Sequence, residues 1–156
     1  MNTVARNRVE VLHGVNLDML GKRDPEHYGT LTLIELEVRI RHWARQLGLE
    51  VSFFQTNFEG EYVERLHQSP QLADALVLNP GAWTHYSYAI RDALEIADRV
   101  AVEVHLSDVE TREEWRRRSV IAELVMGRIA GKGTDGYREA LDLIAAELGV
   151  TPPAAA

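Results

Sequence analysis

An alternation along the chain constrains its fold more than any other feature. Short apolar or β-branched runs occur at 8–12 (RVEVL), 50–55 (EVSFFQ), 75–78 (ALVL), 100–104 (VAVEV) and 124–129 (LVMGRI). Between them lie segments whose apolar residues recur every three or four positions, the period of one helix face. Residues 31–47 carry Leu33, Leu36, Ile40, Trp43 and Leu47, with Thr32 and Glu35 spaced as a capping box and Gly48 as the stop. Residues 137–148 carry Tyr137, Leu141, Ile144 and Leu148 in the same way. Further helices are predicted over 59–67, capped by Asn57, over 84–96, starting at Thr84, and over a short stretch from Thr111 to Arg118.

Five strands with helices between them predict a parallel sheet covered on both faces, because parallel neighbours need a crossover long enough to hold a helix. The wholly apolar 75–78 run fits a strand buried on both sides. The predicted class is α/β, a doubly wound five-stranded parallel sheet of flavodoxin-like order 2-1-3-4-5. It is read as a single catalytic domain over residues 8–149, with flexible termini at 1–7 and 150–156. A length of 156 residues suits one such unit. The absence of cysteine excludes disulfides, thiol nucleophiles and thiolate-bound metal. A net charge of −7 argues against a nucleic-acid or membrane-surface partner, and the apolar runs are too short to span a bilayer. The polar opening residues lack the apolar core of a secretory signal, so a cytoplasmic setting is expected.

In such sheets ligands bind beyond the carboxyl ends of the strands. Polar residues concentrate in the loops placed there, at 13–29, 79–87 and 103–110. Arg23 and Tyr28 share the first of them. A phenol ordinarily has a pKa of about 10, and a cation within ~4–6 Å lowers an acidic group by about 1–3 units. The pair therefore suits a tyrosine base, although a surface tyrosine near a solvated arginine is the plainer reading of such a pair. Glu103 and His105 lie two apart on a strand and share a face, so the carboxylate can orient the imidazole as a proton donor. On spacing alone, a histidine merely hydrogen-bonded at a strand end fits as well. Asn79-Pro80-Gly81 and Leu106-Ser107 lead into predicted helix starts, whose free N–H groups attract anions such as a carboxylate. Ordinary turn chemistry accounts for them equally.

Other patterns carry less. Gly131 to Gly136 matches G-x-G-x-x-G, but the second strand and acidic residue of a dinucleotide unit have no chain left to occupy. Gly133 also follows Lys132 where a phosphate loop needs Ser or Thr. His13, His85, His105, Glu103 and Asp108 lack a local metal-ligand spacing, so no metal is expected. Arg116, Arg117 and Arg118 read as a solvated face from which one guanidinium can turn inward to pair with ligand oxygens.

These loops, in this order, resemble type II 3-dehydroquinate dehydratase. The resemblance spans roughly residues 9–148. It rests on Gly14-x-Asn16-Leu17, Leu20-Gly21-x-Arg23-x-Pro25-x-x-Tyr28-Gly29, Asn79-Pro80-Gly81-Ala82-x-Thr84-His85-x-Ser87, Ala89-Ile90-Arg91-Asp92-Ala93, Glu103-Val104-His105-Leu106-Ser107 and Arg112-Glu113-Glu114-x-Arg116. It implies a cofactor-free trans-elimination of water from 3-dehydroquinate, giving 3-dehydroshikimate through an enolate. In that scheme Tyr28 beside Arg23 removes the C2 proton, Asn16 stabilises the enolate through a bound water, and His105, oriented by Glu103, protonates the departing hydroxyl. Asn79 and the backbone at Leu106 and Ser107 hold the carboxylate, while Arg116 and His85 take ring hydroxyls. Asp92 reaches a neighbouring subunit's site in a dodecamer built from trimers. The first motif departs from the family's usual Asn-Gly-Pro-Asn-Leu-Asn: His13 adds a titratable group near the pocket, and Val15 replaces a proline that would stiffen the turn before Asn16. Two other readings stand beside this one: a divergent dehydratase of a related cyclic polyol acid, and a non-catalytic flavodoxin-like module that binds a small acid.

Overall fold

A computed structural model describes residues 5–154; the ends of the expected flexible termini, residues 1–4 and 155–156, lie outside the described residues. Five strands form one parallel sheet: β1 (Arg8–His13), β2 (Glu50–Gln55), β3 (Ala75–Asn79), β4 (Val100–His105) and β5 (Gly127–Ala130), in the order β2-β1-β3-β4-β5. A one-turn helix α1 (Pro25–Tyr28) precedes α2 (Leu33–Leu47). The crossovers continue with α3 (Glu59–Leu72), α4 (Tyr88–Ala97) and α5 (Asp135–Leu148).

The two-residue alternation of the strands builds two cores. Val77 and Val102 point to the face covered by Leu36, Ile40 and Ile144 of α2 and α5. Leu76, Leu78 and Ala101 point to the other face, against Tyr62, Leu66, Ile90 and Leu94 of α3 and α4. Every residue of β3 is buried, as its unbroken apolar run requires. Each fully buried Leu or Ile contributes about 1.5–3 kcal/mol, so the sheet is anchored from both sides.

Local chemistry sets the helix ends. The capping box of α2 forms: Thr32 Oγ1 accepts from Glu35 N at 3.2 Å, Glu35 Oε2 accepts from Thr32 N at 3.3 Å, and Gly48 closes the helix in the left-handed region. Five readings need correction. Asn57 does not cap α3; Thr56 Oγ1 accepts the Phe58 N–H instead. That helix continues through Pro70 to Leu72, where Arg99 donates to the carbonyls of Pro70 and Ala73 at 2.8 and 3.1 Å. Thr84 lies in a 3-10 turn at Gly81–His85; α4 starts later, its Ser87 Oγ accepting from Ile90 N, because the Thr84 hydroxyl is drawn to Glu103. β5 begins at Gly127, since Leu124 and Val125 pack against the α3/α4 core ahead of the strand. Instead of a short helix from Thr111 to Arg118, two 3-10 turns form at Val109–Thr111, capped by Asp108, and at Glu114–Arg117.

Candidate active site

The loops after β1 and β3 meet at the carboxyl edge of the sheet by backbone contact. Gly14 N donates to Asn79 O at 2.8 Å, and a Cβ on Gly14 would fall 2.3 Å from the Pro80 carbonyl oxygen. Gly81, with φ +65°, faces Val15 in the same way: a Cβ there would sit 2.6 Å from the Val15 carbonyl oxygen. Only glycine permits both approaches. The crossing presents Asn16, itself at φ +69°, whose N–H donates to Asn57 Oδ1 at 2.8 Å. Asn57 thus braces the turn that the missing proline would have stiffened. His13 does not reach the pocket; it is fully buried, its ring edge against Tyr137 at 5.6 Å between centroids.

Asn79 ends β3 with its amide pinned at both ends. Its Oδ1 accepts from Gly81 N at 3.2 Å and its Nδ2 donates to the buried Tyr137 hydroxyl at 2.9 Å. One N–H remains to be offered to the pocket that Asn79 lines.

Tyr28 closes α1 between two cations. The Arg23 guanidinium lies over its ring, 3.6 Å from the centroid, and Arg112 Nη1 donates to its hydroxyl oxygen at 2.6 Å. Arg112 also reaches Ser107 Oγ at 3.2 Å. Burial, with the charges of Arg112 and Arg116 and against the pull of Tyr28, brings the Arg23 guanidinium below its ordinary value, yet arginine stays charged at neutral pH. Three guanidinium groups therefore line this cavity in a chain of net charge −7, a setting for an anionic ligand.

Glu103 stands behind His105, fully buried. Its Oε2 is 2.5 Å from His105 Nε2 and accepts the Thr84 hydroxyl at 2.5 Å; its Oε1 accepts the Ser119 hydroxyl at 2.6 Å. Burial would raise this carboxyl, but the hydrogen bonds and charge of His105, with the two hydroxyls, bring it below its ordinary value. The imidazole is left with Nδ1 for the pocket. His85 packs parallel to His105, centroids 6.3 Å apart, and its Nδ1 donates to the Arg118 carbonyl at 2.7 Å. Burial lowers its value, so at neutral pH its Nε2 is an acceptor.

The glycine turn after β5 also acquires a role. Gly131 N and Gly133 N donate to the carbonyls of Ser107 and Leu106 at 3.0 and 3.3 Å, holding that loop beneath the pocket.

One cavity is thus lined by Asn16, Arg23, Tyr28, Asn79, His85, His105, Leu106, Ser107 and Arg116, with Glu103 behind it. Asp92 is not among them; it is exposed on α4. Sequence reasoning gave no part in the site to Arg112, Thr84, Ser119 or Tyr137. Arg112 stood in a quoted motif, but nothing local tells that it meets a tyrosine 84 residues away.

The sequence profile of the family described as "Dehydroquinase class II" matches residues 7–145. The 3-dehydroquinate dehydratase of Syntrophotalea carbinolica is 56% identical over 140 residues, covering 89% of this chain and 93% of that protein. That of Thermotoga maritima is 52% identical over 141 residues, covering 90% and 96%. The crystal structure of type II dehydroquinase from Propionibacterium acnes superimposes with a TM-score of 0.86 at 40% identity, over 92% of this chain and 99% of that one. With a profile match across most of its length and relatives above half identity, the chain belongs to the class II dehydroquinase family.

Proposed function

We propose that the chain is a 3-dehydroquinate dehydratase in which Tyr28 takes the C2 proton and His105 returns a proton to the leaving hydroxyl. One observation carries the reading: a phenol held between two arginines and an imidazole backed by a buried carboxylate line the same cavity. The C2 hydrogen is acidic because the adjacent ketone accepts its electron pair. Tyr28, as phenolate beside Arg23 and Arg112, accepts that proton, and the pair moves to the ketone oxygen as an enolate. Asn16 stabilises the oxyanion through a bound water. The enolate then collapses to a C1–C2 double bond, and the C1 hydroxyl departs as water with the His105 proton. The reaction is an elimination, with no change of oxidation state and no need of a cofactor.

The remaining residues bind. Asn79 offers its free N–H, and Leu106 and Ser107 their backbone N–H groups, to the substrate carboxylate. Arg116 and the acceptor Nε2 of His85 take ring hydroxyls. An imine route has no support here, since the only lysines are Lys22 and Lys132, neither lines the cavity, and Lys132 pairs with Glu139 at 2.6 Å. We further propose a catalytic unit over residues 8–149, a cytoplasmic setting and a dodecamer of trimers in which Asp92 completes a neighbour's site. Exposure of Asp92 outside its own chain's cavity supports that last assignment. Because Val15 lines the cavity, a related cyclic polyol acid is the second reading of the substrate.

The test is conversion of 3-dehydroquinate, followed by the conjugated enone absorbance of the product. Turnover is expected, with a loss of about 10²–10⁴-fold in Tyr28→Phe. Heat of binding without enone marks a binding module, faster turnover of a related acid marks the second reading, and a fully active Tyr28→Phe ends the assignment of the base.

A further inference from the structure

Arg128 stands directly across from Glu103 in the β4–β5 register. Its Nε lies 3.6 Å from Glu103 Oε2, beyond a hydrogen bond. Nε and Nη2 are both buried without a hydrogen-bond partner among the described residues. Only Nη1 is engaged: it donates to the Arg117 carbonyl at 3.3 Å and lies 3.8 Å from Glu110, an exposed carboxylate. A guanidinium kept for structure normally has its buried donors filled, because an unmet charged donor costs stability. This one is held beside the catalytic pair and left half unpaired.

Glu103 has no need of it for orientation, since Thr84, Ser119 and His105 already take its oxygens. What a cation at this place changes is the division of charge within the pair. Oε2, the oxygen nearest Arg128, is the one that holds His105 Nε2. A positive charge there weakens the carboxylate's grip on the imidazole proton and repels the imidazolium form. On the mechanism proposed above, on which this inference rests, we propose that Arg128 is a positioning residue for proton delivery: from β5 it offsets the stabilisation that Glu103 gives the imidazolium through Nε2, so that the proton on Nδ1 passes to the leaving hydroxyl.

The other groups around the pair do not duplicate this role. From the turns come Thr84, His85, Arg112, Arg116 and Ser119, from α3 the buried phenol of Tyr62, and from the pocket side Arg23 and Tyr28. Arg116 is tied to Glu113, and Arg23 and Arg112 to Tyr28. Among the described residues, Arg128 is the permanent cation within 4 Å of Glu103, beside His105 itself.

The pH dependence of kcat and kcat/KM decides the matter in wild type, Arg128→Met, Arg128→Gln and Arg128→Lys, each verified as folded by circular dichroism. Loss of the charge should move the alkaline limb, where the acid loses its proton, upward by about 1 pH unit, the low end of the range for a nearby charge. Near neutral pH kcat should fall several-fold with KM little changed, and the lysine variant should keep the wild-type limb. The two neutral side chains differ in polarity, so the result does not hang on one of them folding. An alkaline limb in the folded neutral variants that coincides with wild type overturns the proposal. A wild type that does not convert 3-dehydroquinate overturns the mechanism instead. The NMR titration of His105 in wild type and variants then decides the role of Arg128 by itself: an upward shift supports it and coincident curves refute it.

Discussion

At the scale of single residues, His13 shows how far a side chain can lie from the role its position suggests. It ends the first strand immediately before the site loop, yet it is wholly buried and neither ring nitrogen has a partner among the described residues. Burial pushes its pKa down from 6.5 to about 3. The folded value lies below the unfolded one, so between those pH values the unfolded chain binds a proton that the folded chain refuses. Stability is full above pH 6.5 and falls as the solution is acidified towards 3, by about 1.4 kcal/mol per pH unit for this group. From pH 7 to 4.5 the loss amounts to about 2–3 kcal/mol. In His13→Asn that component disappears, so urea unfolding at the two pH values should show a smaller difference than in wild type; an equal difference contradicts the assignment. Loop position paired Arg23 with Tyr28 and strand spacing paired Glu103 with His105, each with a plainer reading beside it; only the resemblance joined the two pairs, and the fold brings them to one cavity. Arg112 was not, because its meeting with Tyr28 depends on how the 109–117 turns fold back across the first loop.

At the scale of elements, the segments with strong local signals formed as read. The α2 capping box and its Gly48 stop needed nothing beyond neighbouring residues. Segments whose polar residues had a better partner elsewhere departed: Thr84 serves Glu103 and Asn57 serves Asn16. The crossing of the β1 and β3 loops is the most exacting element contact. In Gly14→Ala the new methyl group meets the Pro80 carbonyl, backbone that cannot swing away, so the loops must part. The expected cost is about 1–3 kcal/mol of stability, the range for overpacking. Asn16 and Asn79 flank the contact, so kcat/KM should fall about 10²-fold, as for a displacement near 1 Å. A thermal melt and the enone assay measure the two effects; wild-type values in both refute the reading of this contact.

At the scale of the whole molecule, two cores clamp the sheet while three guanidinium groups gather at its carboxyl edge within an acidic chain. Association follows from the proposal for Asp92. Sedimentation should give a mass many times that of the 17.6 kDa chain. Asp92→Ala should lower kcat/KM by about tenfold, the equivalent of one hydrogen bond. Co-expressed with Tyr28→Phe, it should regain activity, because a mixed neighbour returns the aspartate to a site whose tyrosine is intact. Absence of recovery in mixed assemblies refutes a shared site.

The sequence by itself determined the class of fold and the loops at the strand ends, and the strand order was the usual one for that class. Class and loops follow from periodicities and spacings that read the same in any packing: two residues for a strand, three to four for a helix, and polar residues where strands end. Tertiary structure alone decided which partners those residues took. The second cation on Tyr28, the two hydroxyls on Glu103, the anchoring of Asn79 by Tyr137 and the half-paired Arg128 all join residues far apart in the chain. Such contacts are set by register and by the crossing of loops, and a buried donor or acceptor takes whatever partner that geometry brings within about 3 Å.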